Sequence, residues 1–431
     1  MIEKGNKKVE WAWSFYDWAN SVYPLVVTTA IFPTFYQAVT TTELADGSIT
    51  DRVLFFGYSF SNSELYSYVI SASFLIVSFL SPLLSGVADY LGNKKFFLKA
   101  FCYLGALSCG SLYFFDVQHL ERSMLSVFMA SIGFWGSLVY YNAYLPEIAY
   151  PSEHDRISAK GFSLGYLGSS ILLIIILVLI MVFGMAAKWA FVLVMLWWVG
   201  FAQYTFFVLP HYSQKKKMAR GQIWKGLQEL RKVFLEIQDI PVIKSYLASF
   251  FVYSMGVQTV LLMAVLFAAK EINWGDDSKS KTGLIISVLI IQFIAIFGAG
   301  VFSRMSKRWG NISVLKVAIF IWFLVCIWAY FIHTPTDFYI TAALVGFVMG
   351  GIQALSRSTY SKMLPETKDH ASYFSFYDVL EKLGIVIGTF SYGFIEGMTG
   401  SIRNSIFALG VFFIIGLILI FFVPKHKLVN A

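Results

Sequence analysis

The chain has 431 residues, 58% of them apolar, 18% aromatic and only 13% charged. A water-soluble chain carries about a quarter charged residues, which excludes a soluble enzyme and makes lipid the solvent for most of this one. The net charge of +8, from 33 Lys and Arg against 25 Asp and Glu, does not point to nucleic acid, because the basic residues are scattered over short loops between apolar runs.

A bilayer core roughly 30 Å thick needs about 20 apolar residues in helical form. Twelve stretches qualify, at 13–37, 67–88, 96–115, 124–145, 162–183, 189–209, 245–269, 282–302, 313–332, 338–360, 373–395 and 403–423, and are called spans one to twelve. Hydrocarbon offers the backbone no partners, so each stretch must be helical; the alternating strands of a barrel are not present. The expected fold class is an all-α integral membrane protein with twelve transmembrane helices in two six-helix bundles. The first run is too long for a signal peptide and no small-residue cleavage site follows, so it reads as a retained span. Cys102, Cys109 and Cys326 lie inside apolar segments and read as packing residues.

Orientation follows from the Lys and Arg count by loop. With the N-terminus inside, 24 basic residues fall on cytoplasmic segments and 7 on outer loops, which places both termini in the cytoplasm of a multi-pass plasma-membrane protein. The longest polar interruption, residues 211–244, contains Lys215, Lys216 and Lys217, then Ile223, Leu227, Leu230, Val233 and Phe234 at helical spacing. It reads as a linker with an interfacial amphipathic helix, with lipid regulation as the alternative. It divides a 1–210 six-helix bundle from a 245–431 bundle. At an offset of 219, Tyr141, Leu145, Pro146 and Glu147 match Tyr360, Leu364, Pro365 and Glu366, and Leu164 and Gly165 match Leu383 and Gly384. Like halves of this kind are a transporter architecture.

After span two the chain reads Ser85, Gly86, Val87, Ala88, Asp89, Tyr90, Leu91, Gly92, Asn93, Lys94, Lys95. This resembles the G-x-x-x-D-R-x-G-R-K loop of the major facilitator superfamily, with Asp89, Gly92 and Lys94 matching and Tyr90 at the usual Arg position. The equivalent loop of the second half keeps Gly310 and Asn311 but has Lys307 at the aspartate position. Further stretches are Tyr16 to Ser21, Tyr141 to Pro146, Gly350 to Ser358, and Phe376, Tyr377, Asp378. With these, nearly the whole chain is similar to the vacuole-effluxer-like branch of that superfamily, whose bacterial members form the "unknown major facilitator" group. The resemblance implies a twelve-helix secondary transporter working as a monomer, with spans one, four, seven and ten around a central cavity. Amino-acid export is attributed to the fungal vacuolar members.

Charged side chains inside a bilayer usually face a cavity or a partner. With Lys99, Lys316 and Arg403, which sit at or within three residues of a span's start, counted with the loops, five lie within spans: Asp17, Arg357, Asp378, Glu381 and Lys382. Asp378 and Lys382 are four apart, in the favourable order for a helix pair, and Arg357 on the preceding span is expected within reach of Asp378 or Glu381. Either these groups form a fixed ion-pair network holding spans ten and eleven together, or they are functional. In the functional case Arg357 or Lys382 receives an anionic substrate group, and the unmatched acid, Asp17 or Glu381, binds a coupling proton, preferred over sodium.

Uncharged polar groups complete a candidate substrate cavity: Asn20, Tyr23, Tyr140, Tyr141, Asn142, Gln258, Gln292, Gln353 and Tyr377. Interhelical hydrogen bonding is the alternative for each taken alone. Several tyrosines and amides with few charges suit a medium-sized polar or zwitterionic solute better than an inorganic ion. Asp89 is expected to meet the N-terminus of span eleven, where the helix dipole favours a carboxylate, making Asp89, Gly92 and Lys94 a cytoplasmic gate. Gly161 and Gly165, Gly346 and Gly350, and Gly384 and Gly388 are spaced for close helix packing. The sequence contains no phosphate-binding GxxxxGK, HExxH or Cys and His ligand cluster, so no enzyme activity, cofactor or metal is expected. The histidines, His119, His154, His211, His333, His370 and His426, fall in loops, tails or span ends and read as solvated. A lipid or lipid-linked carrier and a non-transporting ligand sensor remain alternative functions.

Overall fold

The computed structural model describes residues 4–43, 49–211 and 222–424. Lys215, Lys216 and Lys217 lie outside the described residues. Six long helices precede a linker helix, Gln222–Asp239, and six follow it. The first six are Lys7–Thr40, Asn62–Leu91, Lys94–Ser111, Leu120–Ala143, His154–Met181 and Trp189–Val208. The second six are Pro241–Glu271, Asp277–Trp309, Asn311–Phe331, Pro335–Met363, His370–Thr399 and Ile402–Phe421. Among the described residues, eleven helices are long and apolar enough to cross a membrane on composition alone. The remaining long helix, span eleven, is 30 residues long but carries Asp378, Glu381 and Lys382 near its middle. Its charges point to protein partners instead of lipid, which is how a polar helix survives in a bilayer.

Local sequence sets the helix limits. Ser61 and Glu64 form a reciprocal capping box at the start of span two. The helix stops at Gly92, whose φ of 65° is the left-handed value a C-terminal glycine adopts without a Cβ penalty. Thr334 and Asp337 form a second box before span ten, with Pro335 in the first turn, where its missing N–H costs nothing. Span one is not a single α-helix: at Tyr23–Ile31 it widens to an i→i+5 helix. Pro24 cannot donate there, and its carbonyl accepts from Thr28 and Thr29 hydroxyls at 2.7 and 2.8 Å.

The expectation of an all-helical chain needs one local correction. Between spans one and two, Thr42–Glu43 pairs with Ile49–Thr50, and Arg52–Phe55 pairs antiparallel with Tyr58–Ser61 in the register Arg52 to Ser61. The Phe56 and Gly57 tip has φ of 48° and 80°, the doubly positive geometry of a tight hairpin turn. Outside the bilayer the backbone has water as partner, so the restriction to helix lapses there.

Each half packs through small residues. A Cβ at Gly350 would strike the Ala295 carbonyl and one at Gly346 the Ile291 carbonyl, so spans eight and ten touch backbone to backbone. The halves meet along spans two and eleven, four and eleven, five and eight, and five and ten. Large aromatic side chains such as Phe79, Phe207 and Phe390 point outward, as a lipid-facing surface requires.

Candidate substrate cavity

A cavity of about 310 Å³ opens between the halves. Its walls include Asp17 and Asn20 of span one, Trp135 and Asn142 of span four, and Tyr166 of span five. From the other half come Gln258 of span seven, Gln292 of span eight, Gln353 and Arg357 of span ten, and Tyr377 and Glu381 of span eleven. Thr28, Thr29 and Val265 carry it away from the face where the linker lies.

The intramembrane charges form two separate groups. In the first, Arg357 Nη2 lies 3.2 Å from Asp17 Oδ2, joining span ten to span one. Tyr141 donates to the same oxygen at 2.8 Å, and Ser158 accepts from Arg357 through both its hydroxyl and its carbonyl, each at 3.0 Å. The guanidinium also lies 4.2 Å from the Phe162 ring centroid and 4.8 Å from that of Trp13. Packing enforces the geometry: a Cβ on Gly161 would collide with Asp17 Oδ2. In the second group, Lys382 Nζ sits 2.6 Å from Asp378 and 3.0 Å from Glu381, and 4.0 Å from the Trp135 ring centroid across the interface. Gln258 donates to Glu381 Oε1 at 2.8 Å, and Ser81 to Asp378 at 3.5 Å.

On the linker face, two polar clusters join the halves. Asp89 accepts from the Ser372 and Ala371 backbone N–H groups at 2.7 and 3.3 Å, at the start of span eleven. Lys94 pairs with Asp89 at 3.1 Å and with Glu147, and donates to the Lys368 carbonyl at 3.0 Å. Across the pseudo-twofold, Asp155 of span five accepts from Lys362, Ser306 and Asn311 at 2.6, 2.7 and 2.7 Å. The second-half loop lacks an acid, and the opposite half supplies it. The linker helix covers the first cluster: Lys232 donates to Asp369 at 3.0 Å and Tyr373 donates to Glu236 at 2.7 Å. The hydrogen bond to Asp369 holds the Lys232 ammonium above its usual range.

A family model described as vacuole effluxer Atg22 like matches residues 5–430. The chain belongs to that family. A relative described as the uncharacterized MFS-type transporter YxiO of Bacillus subtilis (strain 168) is 32% identical, covering 97% of this chain and 95% of the relative. Two solved structures are similar in fold. The human organic anion transporter MFSD10 (TETRAN) aligns with a TM-score of 0.70 at 10% identity over 97% of this chain and all of its own. The major facilitator transporter FucP, solved in its outward conformation, aligns with a TM-score of 0.67 at 14% identity over 98% and 99%. This Atg22-like chain is therefore a multi-pass membrane transporter of the major facilitator type, a class that moves small solutes.

In this effluxer-like protein the cavity includes Asn20, Asn142, Gln258, Gln292, Gln353, Arg357, Tyr377, Asp17 and Glu381. Four residues expected in its wall are not there. Tyr23 packs against Phe134 and Trp198, Tyr140 stacks on Phe97 and Phe101, Tyr141 is turned to Asp17, and Lys382 is wholly buried behind Glu381. Arg357 pairs with Asp17, not with Asp378 or Glu381, because span ten faces spans one and five at that level. Asp17 is therefore not an unmatched acid. His154 and His370 are buried instead of solvated, and His370 Nδ1 lies 3.0 Å from Glu147. Sequence reasoning missed Trp135, Tyr166 and Tyr253. Tyr166 donates to Gln353 at 2.6 Å across the halves, and a single aromatic residue in an apolar span carries no distinguishing signal.

Proposed function

We propose that the protein moves a small polar or zwitterionic organic solute, amino-acid-like in size, by alternating access, and that a proton gradient drives it, in the direction of export. The observation that carries this reading is the charge count at the cavity. Asp378 and Glu381 share one ammonium, Lys382, so one negative charge of that cluster has no protein cation, and Glu381 faces the cavity. A proton entering from either side neutralises it, which links the charge state of the site to the side that is open.

Two polar clusters on the linker face act as the inner gate in this reading, with Asp89, Gly92 and Lys94 in one and Asp155 with Lys362 in the other. The basic-residue count makes that face cytoplasmic, so the conformer described is closed inward and open outward. The two bundles, 1–210 and 245–431, rock about the cavity as one monomer. The test is flux in proteoliposomes under an imposed pH gradient, screened over amino acids, dipeptides, sugars, nucleosides and organic anions. A saturable, gradient-dependent flux that Glu381→Gln abolishes while counterflow persists supports the reading. Gradient-driven uptake that survives in Glu381→Gln rejects the proton site, and a wild type with no saturable flux rejects transport of these solutes.

A further inference from the structure

The cavity presents an occupant with one unbalanced negative charge and no free cation. A guanidinium has five N–H bonds, and those of Arg357 all have protein acceptors: Nε gives to Ser158 Oγ, Nη2 to the Ser158 carbonyl and Asp17, and Nη1 to Asp17 and Asn142. Arg357 is the sole cation among the described residues that line the cavity. Lys382 does not reach it, and its ammonium is engaged by Asp378, Glu381 and the Trp135 ring. An incoming carboxylate would have to break a buried pair to find a cation, and that leaves the Asp17 carboxylate buried without its partner.

Glu381 is in the opposite situation. Its side chain is 19% exposed and lines the cavity. Each of its oxygens has one protein donor, Gln258 on Oε1 and Lys382 on Oε2, which leaves acceptor capacity on both. With Asp17 cancelled by Arg357, the charge presented to an occupant is a single negative one. Tyr253, Phe250, Trp135 and Tyr377 share the wall, with Lys382 on the Trp135 ring and Phe250 stacked on Tyr377. Two amides in the same wall point independently to a missing ligand. Asn20 is 1% exposed and its Nδ2 has no partner, and Gln292 Oε1 also has none. A buried polar atom left unpaired is costly, so these two atoms mark places for an acceptor and a donor of the solute.

We propose that Glu381 is the docking carboxylate for a protonated amine, so that the solute is an organic ammonium compound or a zwitterion recognised by its ammonium end, not by its carboxylate. Gln292 Oε1 and Asn20 Nδ2 meet its remaining polar groups. The assignment rests on the reading of this cavity as the solute site.

The test is a thermal-shift titration of the purified protein in detergent with three forms of one side chain: phenylalaninamide, phenylalanine and N-acetylphenylalanine, and the leucine series alongside. A ligand that binds only the folded state stabilises in proportion to the logarithm of its excess over Kd. The amide and the free amino acid of at least one series should raise Tm, and the N-acetyl anion should not. Glu381→Gln should weaken the amide by about thirtyfold or more, the lower end of what losing one partner of a buried charge pair costs, and Glu381→Asp should retain most of it. The proposal is overturned if the N-acetyl anion stabilises as well as the amide, if Glu381→Gln keeps the amide's affinity, or if no form in either series shifts Tm. Flux separates the two readings. Amine binding lost in Glu381→Gln, with a wild type that shows no gradient-driven flux, sinks the transport reading alone. Gradient-driven flux of an anion that persists in Glu381→Gln sinks the amine site and the Glu381 proton site and leaves transport itself standing.

Discussion

The sequence presents the five intramembrane charges as one set, and the fold divides them into two groups of opposite character. Arg357 and Asp17 balance one to one, and every N–H of the guanidinium is used. Asp378, Glu381 and Lys382 balance two to one, and one acid faces open space. A closed pair joining spans one, four, five and ten is a staple. An incomplete one at a cavity wall is a place where something mobile supplies the missing charge. Charge count together with donor saturation separates the two roles, and neither quantity alone does.

The largest expected effect comes from breaking the staple. Arg357→Ala leaves the Asp17 carboxylate buried without a cation, which costs about 3 to 5 kcal/mol. It should abolish the monodisperse peak in detergent size-exclusion chromatography. Arg357→Lys should recover little, because three ammonium donors do not reproduce a planar five-donor fork. If Arg357→Ala instead folds normally and loses only flux, the staple reading is wrong.

The second prediction is the converse. Glu381→Gln removes a charge that has no full partner, so its stability should stay within about 1 kcal/mol of wild type while gradient-driven flux disappears. Scanning calorimetry alongside the flux assay checks both. A collapse in Tm would make the second cluster structural too.

The gate clusters offer a third comparison, of intermediate size. Asp155→Asn strands Lys362, which is 10% exposed, at a site shared by Ser306 and Asn311. Asp89→Asn leaves Lys94 with Glu147 still beside it. Asp155→Asn should therefore open the linker face more, with a cost of about 1 to 3 kcal/mol for the unpaired group. Labelling rates of single cysteines placed on each side of the cavity measure this, and equal rates in both variants would remove the distinction.

The smallest effects are controls. Gly397→Ala, with nothing within 4 Å, should gain about 0.5 to 1 kcal/mol from helix propensity. Lys232→Ala removes a pair whose lysine is 54% exposed, so Tm should change by no more than an exposed ion pair allows, about 0.5 kcal/mol. A larger drop would mean that the linker helix holds the inner gate shut.

Much of the architecture was legible without coordinates. Lipid leaves the backbone no partner but itself, so about 20 consecutive apolar residues become a helix whatever packs around them, and the polar run at 211–244 marks the division between halves. The hairpin at Arg52–Phe55 and Tyr58–Ser61 escaped because it lies where water removes that constraint. Span eleven shows the same logic from the other side: its charges lower its hydropathy, yet its length and its place in the alternation identify it.

Which side chains face one another was a different matter. Composition and spacing determined that five charges lie in the membrane, that an acid is in excess, and that amides cluster in particular spans. Only the tertiary structure decided that Arg357 meets Asp17 across the halves, that Tyr140 and Lys382 turn away from the cavity, and that Asp155 supplies the acid the second loop lacks. Helix formation is a local response to the solvent, whereas pairing depends on how helices far apart in the chain rotate and approach, and that is set by small residues such as Gly161 and Gly350 acting against partners the sequence does not name.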